Sequence, residues 1–86
     1  MDQLEILRKN IDQIDNDILT LLVKRFSLVK KIGVYKKNNN MLIVNKNREE
    51  EKINALIKTG NMFNMSKEFI QNIWQTIFAE SYKLEI

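Results

Sequence analysis

The segment QLEILRKNIDQIDNDILTLLVKRFSLVKKIGVYK, residues 3–36, decides the fold. Its apolar side chains recur at alternating steps of three and four residues, which is the spacing of one face of an α-helix. The positions on this face are Leu4, Leu7, Ile11, Ile14, Ile18, Leu21, Arg25, Leu28, Ile32 and Tyr35. Arg25 is the one charged residue among them. We define these ten positions as the apolar stripe.

The length of this helix predicts that the chain pairs with a second copy of itself. A helix over residues 3–36 would be roughly 50 Å long, whereas a globule of 86 residues is only about 30 Å across. The remaining residues cannot cover so long a stripe, and a second copy is the simplest way to bury it. We therefore expect an all-α fold with three helices per chain, a very long first helix, and an intertwined homodimer.

Two shorter helices are predicted after a loop at residues 37–47, which is rich in Asn and Lys. Asn47, three residues before Glu50, resembles the start of the second helix, and Gly60 is expected to end it. After a turn at 61–64, Ser66 should cap a third helix. Its predicted inner face consists of Phe69, Ile70, Ile73, Trp74, Ile77 and Phe78. The chain has no internal repeat or linker, so residues 1–86 are expected to form a single domain.

The composition excludes several kinds of chemistry. The chain has no cysteine and no histidine. It therefore lacks the residues needed for thiolate metal sites, for zinc hydrolysis and for Ser-His-Asp or Cys-His nucleophiles. We expect no metal and no organic cofactor. Any reaction must use Lys, Arg, carboxylates, Ser or Tyr.

The charge and hydropathy patterns favour a cytoplasmic protein with a small anionic ligand. The 14 basic and 11 acidic residues are interspersed and leave a net charge of +3, which permits an anionic ligand and does not favour a nucleic acid. No apolar run approaches the roughly 20 residues that span a bilayer, and the amino terminus lacks the pattern of a signal peptide. We therefore expect neither nucleic acid nor membrane as a partner.

Charged residues on the apolar faces are the candidates for function. Arg25 and Lys36 lie about 20° apart around the first helix, so both project to one side. Arg25 either packs at the rim beside a carboxylate or faces an anion. Arg8 is about 25 Å from Arg25 along the helix, but in an antiparallel dimer it could reach the site of the other chain. Its alternative is a solvent-exposed ion pair with Asp12.

The shorter helices add further candidates. Glu49 lies four residues before Ile53, which turns its carboxylate toward the buried face, and Arg48 precedes it. Ser81 and Glu85 continue the inner face of the third helix, although fraying of the last turn is the alternative for Glu85. Seven residues could thus form a cationic, partly apolar pocket for a dicarboxylate that carries a hydroxyl. They are Arg8, Arg25, Lys36, Arg48, Glu49, Ser81 and Glu85.

Five motifs are distributed along the chain. They are L-x-x-L-R-x-x-I-D-x-I-D at 4–15, L-L-x-x-R at 21–25, I-G-x-x-K at 32–36, Arg48-Glu49 and Glu80-Ser81. With this spacing, the chain resembles the all-helical chorismate mutases over nearly its whole length. The resemblance implies an isomerase of aromatic amino acid biosynthesis, in the shikimate pathway, that converts chorismate to prephenate by a Claisen rearrangement. It also implies a dimer in which each active site borrows one arginine, matched by Arg8, from the other chain.

The resemblance implies a role for each matched residue. Arg8 and Arg25 match carboxylate-binding arginines, with Ser81 near the ring carboxylate. Lys36 matches the donor to the side-chain carboxylate and the ether oxygen, and Glu49 matches the acceptor of the ring hydroxyl. Arg48 matches a supporting arginine of the site.

Two positions depart from the pattern of the family. Asn45 stands where many relatives have an acidic residue, so its contact with the ring hydroxyl is in doubt. Glu85 stands where some members have Gln and others Glu, and a carboxyl group can donate to the ether oxygen only when it is protonated. We expect Arg25, Lys36 and Glu85 to be the catalytic residues. Because Glu85 can donate only when protonated, we also expect the activity to fall as pH rises.

Two other functions stay open from the sequence. A lyase that removes pyruvate from isochorismate would need the same scaffold and the same basic pocket. A non-catalytic dimerisation module would use the apolar stripe only to pair helices. Arg25 within the stripe argues against the module, and the Arg48-Glu49 pair favours the mutase over the lyase.

Overall fold

The computed structural model describes residues 2–86, which form three α-helices. They are α1 (Gln3–Asn38), α2 (Lys46–Asn61) and α3 (Lys67–Glu85). Within residues 2–86 there is no β-strand. The predictions of an all-α class, three helices and a long first helix are confirmed.

The first helix sets the long dimension of the molecule. At 1.5 Å per residue, its 36 residues span about 54 Å, and the chain measures 57 × 25 × 15 Å. Asp2 caps the amino terminus of α1, because its side chain accepts from the backbone N–H of Glu5 at 2.9 Å. At the other end, the side chain of Asn39 donates to the carbonyl of Tyr35, and Asn40 adopts a left-handed φ of 54°. The helix therefore extends beyond the rest of its own chain.

The second helix begins earlier than the sequence predicted. The capping residue is Asn45, whose extended backbone lets its side chain accept from the N–H of Arg48 at 3.1 Å. The prediction of Asn47 as the first residue is wrong, since Asn47 already lies inside α2. Both asparagines have the right side chain for a cap, and only the backbone conformation distinguishes them.

The prediction that Gly60 ends α2 is also wrong. The helix continues through Asn61, and the left-handed residue of the following turn is Asn64, with φ 59°. Gly60 is buried, and a Cβ atom there would collide with the side chain of Ile70. Its role is thus to let α2 and α3 approach closely. Ser66 caps α3 as predicted, accepting from the N–H of Phe69 at 3.2 Å.

The third helix packs against both other helices. Ile70 is fully buried, and Ile73, Trp74, Ile77 and Phe78 are half-buried, which confirms most of the predicted inner face. Phe69 is a correction, because its side chain is 51% exposed. It lies about 100° around the helix from Ile70 and so points away from the core.

The carboxyl end of α3 lies directly on α1 at Gly33. A Cβ atom on Gly33 would come within 2.6 Å of the backbone oxygen of Glu85. Only a glycine allows this approach, which brings the last turn of α3 beside Lys36.

The apolar stripe stays uncovered in the single chain. Its nine apolar members are each between 47% and 62% exposed. Contiguous apolar surface of this extent is typical of an interaction site. No helix within residues 2–86 has the length and hydropathy to cross a membrane.

Candidate active site

A cleft of about 340 Å³ lies where the three helices and the loop after α1 meet. Six of the seven predicted site residues line it. The lining residues are Arg25, Val29, Ile32 and Lys36 from α1, Ile43 and Asn45 from the loop, Arg48, Glu49 and Lys52 from α2, and Phe78, Ser81, Tyr82 and Glu85 from α3.

Arg25 is fixed by a hydroxyl group and an aromatic ring. Its Nη1 donates to Ser81 Oγ at 2.6 Å, and Ser81 in turn donates to the carbonyl of Ile77 at 2.8 Å. The guanidinium carbon lies 5.8 Å from the centre of the Phe78 ring, within range of a cation–π interaction. Burial lowers the pKa of Arg25 and the charge of Glu85 opposes that shift, but an arginine stays charged at neutral pH. Within the described chain Arg25 has no ion-pair partner, so its charge is available to a ligand.

Lys36 and Glu85 form a largely buried ion pair in the cleft. The Lys36 Nζ lies 2.8 Å from Glu85 Oε1 and donates to the carbonyl of Ile43 at 2.6 Å. The two side chains are only 16% and 6% exposed. The contact is an ion pair without good hydrogen-bond geometry at the buried Oε1. An ammonium group has three N–H donors, so one N–H of Lys36 can serve a ligand.

The last turn of α3 is not frayed. Fraying was the alternative considered for Glu85. The helix continues to Glu85, held there by its contacts with Gly33 and Lys36. The carboxyl group therefore has a defined position in the cleft.

Glu49 is held by a residue that sequence reasoning missed. The Tyr82 hydroxyl donates to Glu49 Oε1 at 2.6 Å, and the exposed Lys46 lies 3.5 Å from Oε2. Burial raises the pKa of Tyr82 to about 12, with further contributions from the hydrogen bond to Glu49 and from its charge. The phenol therefore stays protonated at neutral pH. The signal for Tyr82 was its spacing, since Phe78, Tyr82 and Glu85 follow a helical i, i+4, i+7 pattern.

The mouth of the cleft carries two more cations. Arg48 is exposed, and its side chain lines the cleft. Lys52, one turn further along α2, also lines it and was not predicted, although it lies four residues after Arg48. The side-chain oxygen of Asn45 is occupied by its capping bond to Arg48.

Arg8 is the one predicted site residue that does not line this cleft. It is exposed on α1, about 25 Å from Arg25 along the helix axis. Within residues 2–86 it forms no ion pair with Asp12, so that alternative is not found. Whether Arg8 serves the cleft of a second chain stays a prediction.

The charges of the cleft suit a dianion. Arg25, Lys36, Arg48 and Lys52 outnumber Glu49 and Glu85 by two positive charges. The apolar part of the lining comes from Val29, Ile32, Ile43 and Phe78. The fold and cleft together define a small helical domain suited to binding a partly apolar dicarboxylate.

Comparison with known proteins gives the family. The family described as chorismate mutase type II matches residues 7–86. The chain belongs to this family, and the resemblance expected from the motifs is confirmed.

Several relatives are longer proteins. The chain is 38% identical over 80 residues to the bifunctional chorismate mutase/prephenate dehydratase of Buchnera aphidicola (subsp. Acyrthosiphon pisum), covering 93% of this chain and 21% of that protein. It is 34% identical over 90 residues to the protein of the same description from Aquifex aeolicus, covering 99% and 24%. It is 29% identical over 83 residues to the T-protein of Enterobacter agglomerans, covering 96% and 22%. The chain thus spans between 21% and 24% of the length of these relatives.

Proposed function

We propose that this chain is an isomerase of aromatic amino acid biosynthesis, which converts chorismate to prephenate. The observation that carries the proposal is one cleft in which six of the seven predicted side chains meet, with two positive charges in excess. Chorismate has two carboxylates and a ring hydroxyl, which match that excess and the acceptor Glu49. Membership of the chorismate mutase type II family supports the same reaction.

The reaction makes few chemical demands on the protein. Within one molecule, the ether C–O bond breaks and a C–C bond forms between the enolpyruvyl group and the ring. No group is transferred to the protein, so neither a nucleophile nor a cofactor is needed. The residues must hold the substrate in a reactive conformation and stabilise the charge that develops on the ether oxygen.

Arginines are proposed to bind the two carboxylates. Arg25 is oriented for this by its hydrogen bond to Ser81, and Arg8 of the partner subunit would supply the second guanidinium. Ser81 lies near the expected position of the ring carboxylate. Arg48 is proposed to support the positive field at the mouth of the cleft.

Lys36 and Glu85 are proposed to act at the ether oxygen. Two contacts already fix the Lys36 ammonium. Its remaining N–H can form a three-centre hydrogen bond with the ether oxygen and the side-chain carboxylate, with little reorganisation. Glu85 in its protonated form would donate to the same oxygen. Glu49 would accept the ring hydroxyl.

The active unit is proposed to be a homodimer, with residues 1–86 as one cytoplasmic domain in each chain. The exposed apolar stripe supports this arrangement, because pairing along it would bury apolar surface from both chains. The position of Arg8 also supports a dimer, since the Arg8 side chain is too far along α1 to reach the cleft of its own chain.

The test is the loss of chorismate absorbance on mixing with the purified protein, with the product identified as prephenate. Arg25→Ala should lower kcat by about 100-fold or more, because it removes a preorganised donor. Lys24→Ala is the matched control, since it removes one positive charge from the neighbouring, exposed position of α1. Equal losses in both variants would argue against a role for the cleft.

Isochorismate should be supplied in a parallel reaction. Release of pyruvate from isochorismate, without conversion of chorismate, would replace the mutase with the lyase. A folded protein that converts neither substrate would favour the third function, a non-catalytic dimerisation module.

A further inference from the structure

The proposed mechanism leaves one close contact in the cleft without a role. The Tyr82 hydroxyl donates to Glu49 Oε1 at 2.6 Å, and this part-buried bond joins α3 to α2. It connects residues that are 33 positions apart in the chain. Such a bond depends on the packing of the two helices and is not a local feature of either.

Glu49 has little else to hold it. Its Oε2 faces the Lys46 ammonium at 3.5 Å, but the Lys46 side chain is 78% exposed. An ion pair with an exposed lysine is weak and is screened by solvent. A glutamate side chain has several rotatable bonds, and ordering it costs about 1–2 kcal/mol of conformational entropy. The phenol is therefore the contact that fixes this carboxylate.

We propose that Tyr82 is a positioning residue that holds Glu49 by Oε1, so that Oε2, which faces the exposed Lys46, is oriented to accept the ring hydroxyl of the substrate. The role of Glu49 in this proposal rests on the proposed function. Ser81 and Tyr82, which are adjacent on α3 and both line the cleft, then orient two different side chains of the site. Ser81 orients Arg25, which binds a carboxylate, and Tyr82 orients Glu49, which binds the hydroxyl.

A tyrosine suits this place electrostatically. Burial and the neighbouring Glu49 carboxylate keep the pKa of Tyr82 near 12, so the phenol donates a hydrogen bond without adding negative charge. A second ionised group here would oppose the binding of a dianionic substrate. The tyrosine thus orders the carboxylate and preserves the excess of two positive charges in the cleft.

The kinetic test compares Tyr82→Phe with Tyr35→Phe. Tyr35 is the other tyrosine of the chain, 62% exposed on α1 and outside the cleft. Tyr82→Phe should lower kcat/KM about tenfold, because it removes a hydrogen bond to a charged group, while the helix content stays that of the wild type. Tyr35→Phe keeps the aromatic ring that Tyr35 contributes to the apolar stripe and removes only a hydroxyl outside the cleft, so it should match the wild type.

A double-mutant cycle distinguishes positioning from a structural effect. In a Glu49→Ala background, Tyr82→Phe should have no further effect on kcat/KM, because the carboxylate that it positions is gone. An undiminished tenfold loss in that background would overturn the proposal. Wild-type activity in Tyr82→Phe itself would overturn it as well.

A spectroscopic test checks the contact without using activity. In Tyr35→Phe protein, Tyr82 is the only tyrosine, and the pKa of Tyr82 can be followed by the ¹³C signal of its ring Cζ. Glu49→Ala should bring that pKa down from about 12 toward its ordinary value, because the hydrogen bond and the neighbouring charge are both removed. An unchanged pKa would overturn the proposal even in an active enzyme.

The activity of the enzyme and the pKa of Tyr82 test the proposed function and the positioning role separately. Wild-type protein that fails to convert chorismate, yet shows the pKa change, would refute the catalytic function and with it the positioning role. Active protein without the pKa change would refute the positioning role alone.

Discussion

Arg25 illustrates how a charged side chain can occupy an apolar helix face and still be available to a ligand. Its close partner is the neutral hydroxyl of Ser81, at 2.6 Å. A carboxylate in direct contact would have neutralised the guanidinium, whereas a hydroxyl orients it and leaves it without an ion-pair partner in the described chain. A guanidinium in this state is what a cleft for a dianion requires.

Spacing along one helix was enough to predict that Arg25 and Lys36 share a site. Both lie on α1, and the regular rotation of the helix fixes their relative direction. The same kind of reasoning missed Tyr82, because its partner Glu49 is on another helix and their contact depends on how α2 packs on α3. Lys52 was missed for a related reason, since its position in the helix does not reveal where the cleft opens.

Replacement of Glu85 by Gln tests the role of that carboxyl group. Glu85→Gln should raise kcat at neutral pH, because an amide always has an N–H to donate to the ether oxygen, whereas a carboxyl group can donate only when it is protonated. The measurement is kcat of both proteins at about pH 7.

Other charged or titratable groups face Glu85, and they are unchanged in this comparison. Lys36 forms the ion pair, and Arg25 and Tyr82 also lie close enough to interact with the Glu85 charge. No gain in kcat in Glu85→Gln would contradict the donor role.

The sequence predicted the number and the order of the helices better than it predicted the residues at which they begin and end. Ser66 was identified correctly as a cap, but Asn45 and not Asn47 caps α2. The two glycines were harder to interpret, because Gly33 and Gly60 serve helix packing and not helix termination. The apolar periodicity of a helix does not indicate where a second helix approaches it closely.

The two glycines provide a matched pair of substitutions. Gly33→Ala would place a methyl group against the backbone of Glu85, which can move only if the end of α3 moves. We expect it to lower the free energy of unfolding by roughly 1–3 kcal/mol, and to lower kcat as Glu85 leaves its position beside Lys36. Gly60→Ala meets the end of the Ile70 side chain, and neither residue lines the cleft.

Urea unfolding and kcat should be measured for both glycine variants. Gly60→Ala should reduce stability while kcat stays near that of the wild type, because Ile70 does not line the cleft. Loss of kcat in Gly60→Ala to the same degree as in Gly33→Ala would show that general destabilisation, and not the position of Glu85, controls activity.

The shape of the whole molecule argues for a shared active site. A chain of 57 × 25 × 15 Å with an exposed stripe along α1 has much apolar surface and only a small core of its own. Its cleft contains six predicted residues, while Arg8 lies far along the same helix. The sequence predicted the overhang correctly because helix length follows directly from residue number. The dimer itself stays a prediction.

Mixing two inactive variants tests the shared site directly. Arg8→Ala and Arg25→Ala should each be inactive alone. In a mixed dimer, the chain with Arg8→Ala keeps its own Arg25 and receives an intact Arg8 from its partner, so one of the two sites is complete. If chains unfolded and refolded together pair at random, activity should recover to about one quarter of the wild-type value.

A second mixture provides the control, and it decides how the first is interpreted. Arg25→Ala refolded with Lys36→Ala should recover no activity, because both residues line the cleft of the same chain and every mixed dimer then has two damaged sites. Sedimentation velocity on each sample should give the mass of a dimer. Recovery in both mixtures would mean that Arg25 and Lys36 act in different sites. No recovery in either mixture, or a fully active monomer, would mean that Arg8 does not serve the site of a partner.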